Sequence, residues 1–273
     1  MIDREQLKLG SEINEHFIKG LMSGYERYLE VRVEAAEELY ISKGYAYTQG
    51  NHLEDKIAKE ISDKVSYEPA KAGSWSYLQF NVENNDEKYL VIVRRMERIE
   101  NTRKEIALKD TEGKEKNWLF GLARNNDYLN LSQLIKENNN EQIKLFASNI
   151  EDEKAILGQT YLEIDFDQEF DRFYILSYEI DDSTYMIDDA SLLMMDSRTL
   201  GLLEVESLRD IVVKYQPTIN DHLLEDAKKV FEEEEVSAEA KEYKVYPAEE
   251  ETSGDLLDYL SEDASQDETE EDI

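Results

Sequence analysis

Cysteine is absent from the chain. Its absence excludes a disulfide framework, thiolate zinc sites and thiol nucleophiles together, and it fits a reducing compartment. Histidine occurs three times: His16 and His222 fall in helical patterns and His52 beside a helix start. A metal site or an acid–base pair would need these to converge with carboxylates in the fold, whereas surface and capping roles account for them without that demand. Proline also occurs three times and not before Pro69, which leaves the first 65 residues open to helix. No stretch approaches the roughly 18 apolar residues of a membrane span, and residues 1–9 lack the apolar centre of a signal peptide. The expectation is a cytoplasmic protein of a bacterial or phage-infected cell, with no membrane partner. The glycine patterns of phosphate-binding loops, the G-x-S-x-G elbow and a placed S-x-x-K motif are missing as well. No cofactor is implied, and the balance falls against an enzyme.

What the sequence has in excess is negative charge. Of 273 residues, 64 are acidic and 31 basic, a formal net charge of −33. Residues 232–273 hold 18 acids against Lys241 and Lys244, a net −16, which leaves 46 acids and 29 bases, a net −17, for the rest. Such a field repels nucleic acid and anionic membranes and attracts basic proteins. Apolar residues make up 40%, somewhat below the usual globular share, and the deficit sits in the last forty or so positions. The remaining body, about 230 residues, is long enough to bury a core without metals or disulfides.

The fold class read from periodicity is α+β: a helical N-terminal segment (1–66), a body with a mainly antiparallel sheet (67–235) and a disordered acidic tail (236–273). Ile13, Phe17, Leu21, Tyr25, Tyr28 and Leu29 recur at helical spacing, with a break expected near Ser23-Gly24. A further helix is expected from Asn51, with Asn51 and Glu54 as an N-x-x-E cap and Leu53, Ile57 and Ile61 as its buried stripe. From Tyr67 the period becomes two. Trp75, Tyr77, Gln79 and Asn81 alternate with Ser76, Leu78, Phe80 and Val82, and the apolar run 89–95 supplies the hairpin partner. Residues 117–122 read as a strand and 131–136 as a short helix capped by Asn130. Residues 162–167 and 173–180 alternate again, and Asp181-Asp182-Ser183 makes a turn into 185–187, with 192–195 continuing the sheet. Helices are expected over 205–213 and, after Pro217, over 219–234 with Asn220 or Asp221 as cap. Beyond Phe231 too little apolar surface exists to offset the entropy of ordering. One island interrupts it, with Leu256, Leu257 and Leu260 at helical spacing.

Three constellations carry chemistry. Glu163, Asp165 and Asp167 would project from one strand face at about 7 Å intervals, as in metal-dependent nucleases, although a solvated strand face explains the same alternation. Glu179, Asp181, Asp182, Asp188 and Asp189 add carboxylates without fixing a geometry. Residues 88–116 hold nine bases and six acids; Arg94, Arg95, Arg98, Arg103 and Lys104 with Trp75 and Tyr77 outline a basic and aromatic platform for single-stranded nucleic acid. Arg94 and Arg95 must point to opposite faces of a strand, and Trp75 suits a core equally well. The tail could confer solubility, screen the basic stretch, or capture a basic partner through Leu256, Leu257 and Leu260 and the terminal Glu270, Glu271, Asp272 and Ile273. Those last four residues resemble the recruiting tail of bacterial single-strand-binding proteins, without its Pro-Phe ending.

The order Trp75-x-Tyr77, then 89–95, Arg103-Lys104, Tyr128-Leu129-Asn130 and 175–179 resembles an uncharacterised family found in phages and mobile elements of low-GC Gram-positive bacteria. The likeness covers roughly residues 51–211 and implies a setting in the bacterial cytoplasm, associated with phage, without assigning a site. Charge and missing catalytic motifs together favour a protein-binding factor: an inhibitor that presents carboxylates in place of a phosphate backbone to a basic nucleic-acid-handling or defence protein. A nucleic-acid transaction factor regulated by the tail is the alternative, and a metal-dependent nuclease the second.

Overall fold

The computed structural model describes residues 4–234 except 73–74, 85–86, 110–112, 115–116 and 139–169. The first long element, α1 (Ser11–Glu38), is one unbroken helix, so the break expected near Ser23-Gly24 does not occur. Gly24 serves proximity instead. A Cβ on Gly24 would lie 2.5 Å from the Cα of Leu53, and one on Gly20 2.6 Å from the Cα of Ile57. The backbone of α2 (Gln49–Ile61) is thus seated on the two glycines. The buried stripe of Phe17, Ile18, Leu21, Met22, Tyr25, Tyr28 and Leu29 holds α1 together through them, offsetting the ~1 kcal/mol that each helical glycine costs.

Helix α2 starts two residues ahead of Asn51, and the N-x-x-E cap is not formed. Glu54 is turned inward, where its carboxylate accepts the Leu78 N–H at 2.9 Å. Leu53, Ile57 and Ile61 are buried as their spacing predicts.

The sheet has six strands in sequence order: β1 (Ser66–Ala72), β2 (Trp75–Asn84), β3 (Glu87–Arg95), β4 (Arg172–Ile180), β5 (Ile187–Met195) and β6 (Leu202–Ser207). Four neighbouring pairs are antiparallel and the central pair, β3 with β4, is parallel. A parallel pair needs a crossover. The connection from Arg95 to Arg172 supplies it and carries α3 (Met96–Leu108), α4 (Trp118–Ala123) and α5 (Leu131–Asn138). Both sheet faces are covered. One holds α1, α2, α6 (Arg209–Tyr215) and α7 (Asp221–Glu234) over Phe80, Val91, Tyr174, Leu176 and Leu192. The other holds α3 and α4 over Leu90, Ile92, Phe173, Ile175 and Met195. Residues 89–93 and 172–178 are therefore buried on both sides, not half-buried as simple alternation suggests.

Two expected elements are of the other type. Residues 117–122 are not a strand: Asn117 caps α4, its side-chain oxygen accepting the N–H groups of Leu119 at 3.0 Å and Phe120 at 3.3 Å. Residues 205–213 are not one helix: β6 runs to Ser207, and the chain turns at Leu208 into α6. Leu203 and Val205 alternate into the core, and this period of two decides the first half. Asn220 caps α7 through the His222 N–H at 2.9 Å. The predicted strand at 162–167 and the acidic tail lie outside the described residues. Among those described, no helix is long and apolar enough to cross a membrane.

Candidate functional site

The cationic stretch does not assemble into one platform. The β2–β3 ladder stops at Phe80 opposite Val91, and beyond it a notch opens between the strands. Glu54 fills this notch from α2, and Arg94 reaches it from β3, with the guanidinium 3.3 Å from the carboxylate. Arg94 is sandwiched there against Tyr77 at 5.2 Å and Trp118 at 5.5 Å from the ring centres. Tyr77 is itself buried, 4% exposed, so its ring does not offer a face for a nucleobase to stack on. Burial pushes the Glu54 carboxyl up and pulls the Arg94 guanidinium down, and each partly offsets the other. The cluster is a structural joint between α2 and the sheet.

Its neighbours diverge. Arg95 points to the opposite face, 3.4 Å from Glu97 and 3.8 Å from Asp182. Arg103 donates to the Leu200 carbonyl at 2.6 Å and to Glu100 at 2.7 Å, which pins α3 to the turn before β6. Arg98 and Lys104 are exposed on α3. The backbone of Trp75 begins β2. Glu163, Asp165, Asp167, Leu256, Leu257, Leu260, Glu270, Glu271, Asp272 and Ile273 lie outside the described residues.

Carboxylates, in contrast, gather at the turn end of the β4–β5 hairpin. Glu179 on β4 stands directly opposite Asp189 on β5, with Asp188 next to it and the turn residues Asp181 and Asp182 beyond. Opposed like charges destabilise an antiparallel pair. Burial pushes the Glu179 carboxyl up, and Asp189 and Asp188 push it further; among the described residues no cation counters them. Asp181 behaves oppositely. Its side chain accepts hydrogen bonds from the Ser183 hydroxyl and from the Ser183 and Thr184 backbone N–H groups, which hold its carboxyl down at about 2. That turn is fixed in shape and stays anionic at any physiological pH. Tyr25 anchors it from beneath by donating to the Tyr185 carbonyl, and Tyr185 holds a left-handed φ of 55°.

Elsewhere on the body several cations are paired with acids: Lys19 with Glu60, Lys59 with Asp55, Arg172 with Glu87, Lys214 with Glu15, and Lys229 with Asp226. His16 lies 3.0 Å from the same Glu60. Among the described residues no three His, Asp or Glu side chains are grouped to hold a metal ion. A shallow cleft of about 190 Å³ between Ser66, Asn81, Glu83, Lys88 and Phe170 is smaller than the several hundred Å³ of a metabolite site.

The outward position of Glu179 is legible in the alternation of β4. Its partner is not, because the register depends on a bulge between Glu179 and Ile180. The Glu54–Arg94 joint, spanning 40 positions, left a single trace: an acid inside the apolar stripe of α2. No family model, no curated protein and no solved structure matches the chain.

Proposed function

We propose that the protein is a non-enzymatic binding factor that engages a basic partner protein through the carboxylate face at the β4–β5 hairpin. The acidic tail adds to the same attractive field. In its most concrete form the partner is a nucleic-acid-handling or defence enzyme, and the carboxylates occupy its cationic channel as a phosphate backbone would. The family resemblance suggests a phage origin for such an inhibitor.

One observation carries the reading. Glu179 and Asp189 are set directly opposite each other on the ladder, with Asp188 adding to the repulsion, and among the described residues no cation is paired with Glu179. A site that repels itself is stabilised when an external cation arrives. The tied or buried state of Arg94, Arg95 and Arg103 weighs in the same direction, because it withdraws three of the five bases of the predicted platform from contact with a nucleic acid.

Affinity capture from bacterial lysate at about 0.1 M and 1 M salt, between which the screening length shrinks from about 10 to 3 Å, tests it. A basic protein retained at low salt and released at high salt is expected. Retention of none, or of a set indifferent to salt, would contradict the proposal.

A further inference from the structure

A second polar corner of the sheet lies away from the carboxylate face. Because β3 and β4 run parallel, the β2–β3 turn and the β4–β5 turn are at opposite ends of the sheet. Beside the β2–β3 turn is the cleft of about 190 Å³ lined by Ser66, Asn81, Val82, Glu83, Lys88 and Phe170. At ~30 Å³ per water it holds about six water volumes, too little for a nucleotide or a sugar and enough for a molecule of roughly six non-hydrogen atoms.

The side chains around it differ in chemistry. Asn81 lines the cleft from β2, and its Oδ1 is buried with no hydrogen-bond partner among the described residues. A buried acceptor left open calls for a donor. Glu83 is two positions along the same face of β2, about 7 Å away, and Lys88 stands directly opposite it on β3. Ser66 stands opposite Asn81 on β1. Phe170, 9% exposed, supplies an aromatic wall. The frame is fixed by the backbone: the Lys88 N–H donates to the Asp171 carboxylate at 2.7 Å, and the Lys88 carbonyl accepts the Asp171 N–H at 2.8 Å. Glu83 and Lys88 are both exposed, so attraction between the two is weak and gives way readily to a ligand.

We propose that this cleft binds a small zwitterion, a free α-amino acid of the size of alanine. The ligand ammonium donates to Asn81 Oδ1 and meets the Glu83 carboxylate, with the Phe170 ring alongside. The ligand carboxylate meets the Lys88 amine and the Ser66 hydroxyl. Opposite charges on facing strands select against simpler ligands. A free anion at Lys88 is repelled by Glu83 and by the field of a chain of net charge −33. A simple cation at Glu83 is repelled by Lys88 and leaves that amine unused. A dipolar molecule carries no net charge, matches both ends and brings the donor that Asn81 lacks.

Saturation-transfer NMR on the full chain tests this, with L-alanine as the ligand and methylammonium and acetate, its two charged halves, as controls. Millimolar affinity is expected for L-alanine, as suits a ligand of about six non-hydrogen atoms. Either half alone should bind at least about tenfold more weakly, since each forfeits a charge-assisted contact. Asn81→Leu puts a side chain of similar volume that needs no partner in place of the amide, and Lys88→Met replaces an exposed amine, so both variants should fold. Each should weaken L-alanine binding by about tenfold or more. No saturation transfer to L-alanine, as a cleft holding only water would give, equal binding of methylammonium, or unchanged binding in either variant would overturn the proposal.

Discussion

At the scale of single residues, charge is disposed in two opposite ways. Glu54 and Arg94 are sealed in the interior, where neither ion is tolerable alone. Glu54→Ala leaves a buried guanidinium and an unsatisfied Leu78 N–H, and should destabilise the body by about 3–5 kcal/mol in urea denaturation. Glu54→Leu combined with Arg94→Met should recover more than half of that loss; additive losses would show that the two do not act as a pair. Glu179 is the reverse case. Its carboxyl is raised in the fold, so the protonated form is favoured there: its contribution is fully present below the ordinary value of 4.5 and lost as pH rises through the raised value. Glu179→Gln should accordingly leave stability unchanged near pH 4 and raise it by about 0.2–0.5 kcal/mol at neutral pH, a small effect because the group is largely exposed. A loss of stability at neutral pH would show that the charge is compensated after all.

At the scale of elements, the two-residue period and the long apolar runs made the strands readable. Direction was not. The parallel pairing of β3 with β4 joins segments 77 positions apart at Arg95 and Arg172, and nothing local records it. Short apolar stretches were the other difficulty: residues 117–122 suit a strand or a turn of helix equally by pattern, and the Asn117 side chain decides the matter by capping. Gly24 illustrates a residue with two possible meanings. Read as a helix breaker it divides α1; in the fold it admits the α2 backbone at a separation no side chain permits. Gly24→Ala would gain ~1 kcal/mol in helix propensity. It should nonetheless destabilise by about 1–3 kcal/mol, the usual magnitude of overpacking, because the intruding methyl meets backbone atoms that cannot step aside. Thermal denaturation distinguishes the two meanings, since a gain in Tm would mean the helices are not in close contact at that position.

At the scale of the whole molecule, the α+β architecture followed from composition and pattern, while the candidate surface did not. The cationic stretch was conspicuous as sequence, yet folding disperses it between the two faces of a strand and into the interior. The carboxylate face became visible only when the hairpin register set Glu179 opposite Asp189. A fold that keeps a self-repelling surface gives up a little stability, which the proposed binding of a basic partner would offset. The claim is tested most directly by one comparison: affinity for the captured basic partner, and Tm, for the natural chain and for Glu179→Gln/Asp188→Asn/Asp189→Asn. The variant is expected to melt higher and to bind at least about tenfold more weakly, a loss of about 1.4 kcal/mol. A variant that melts higher and binds as before would contradict it.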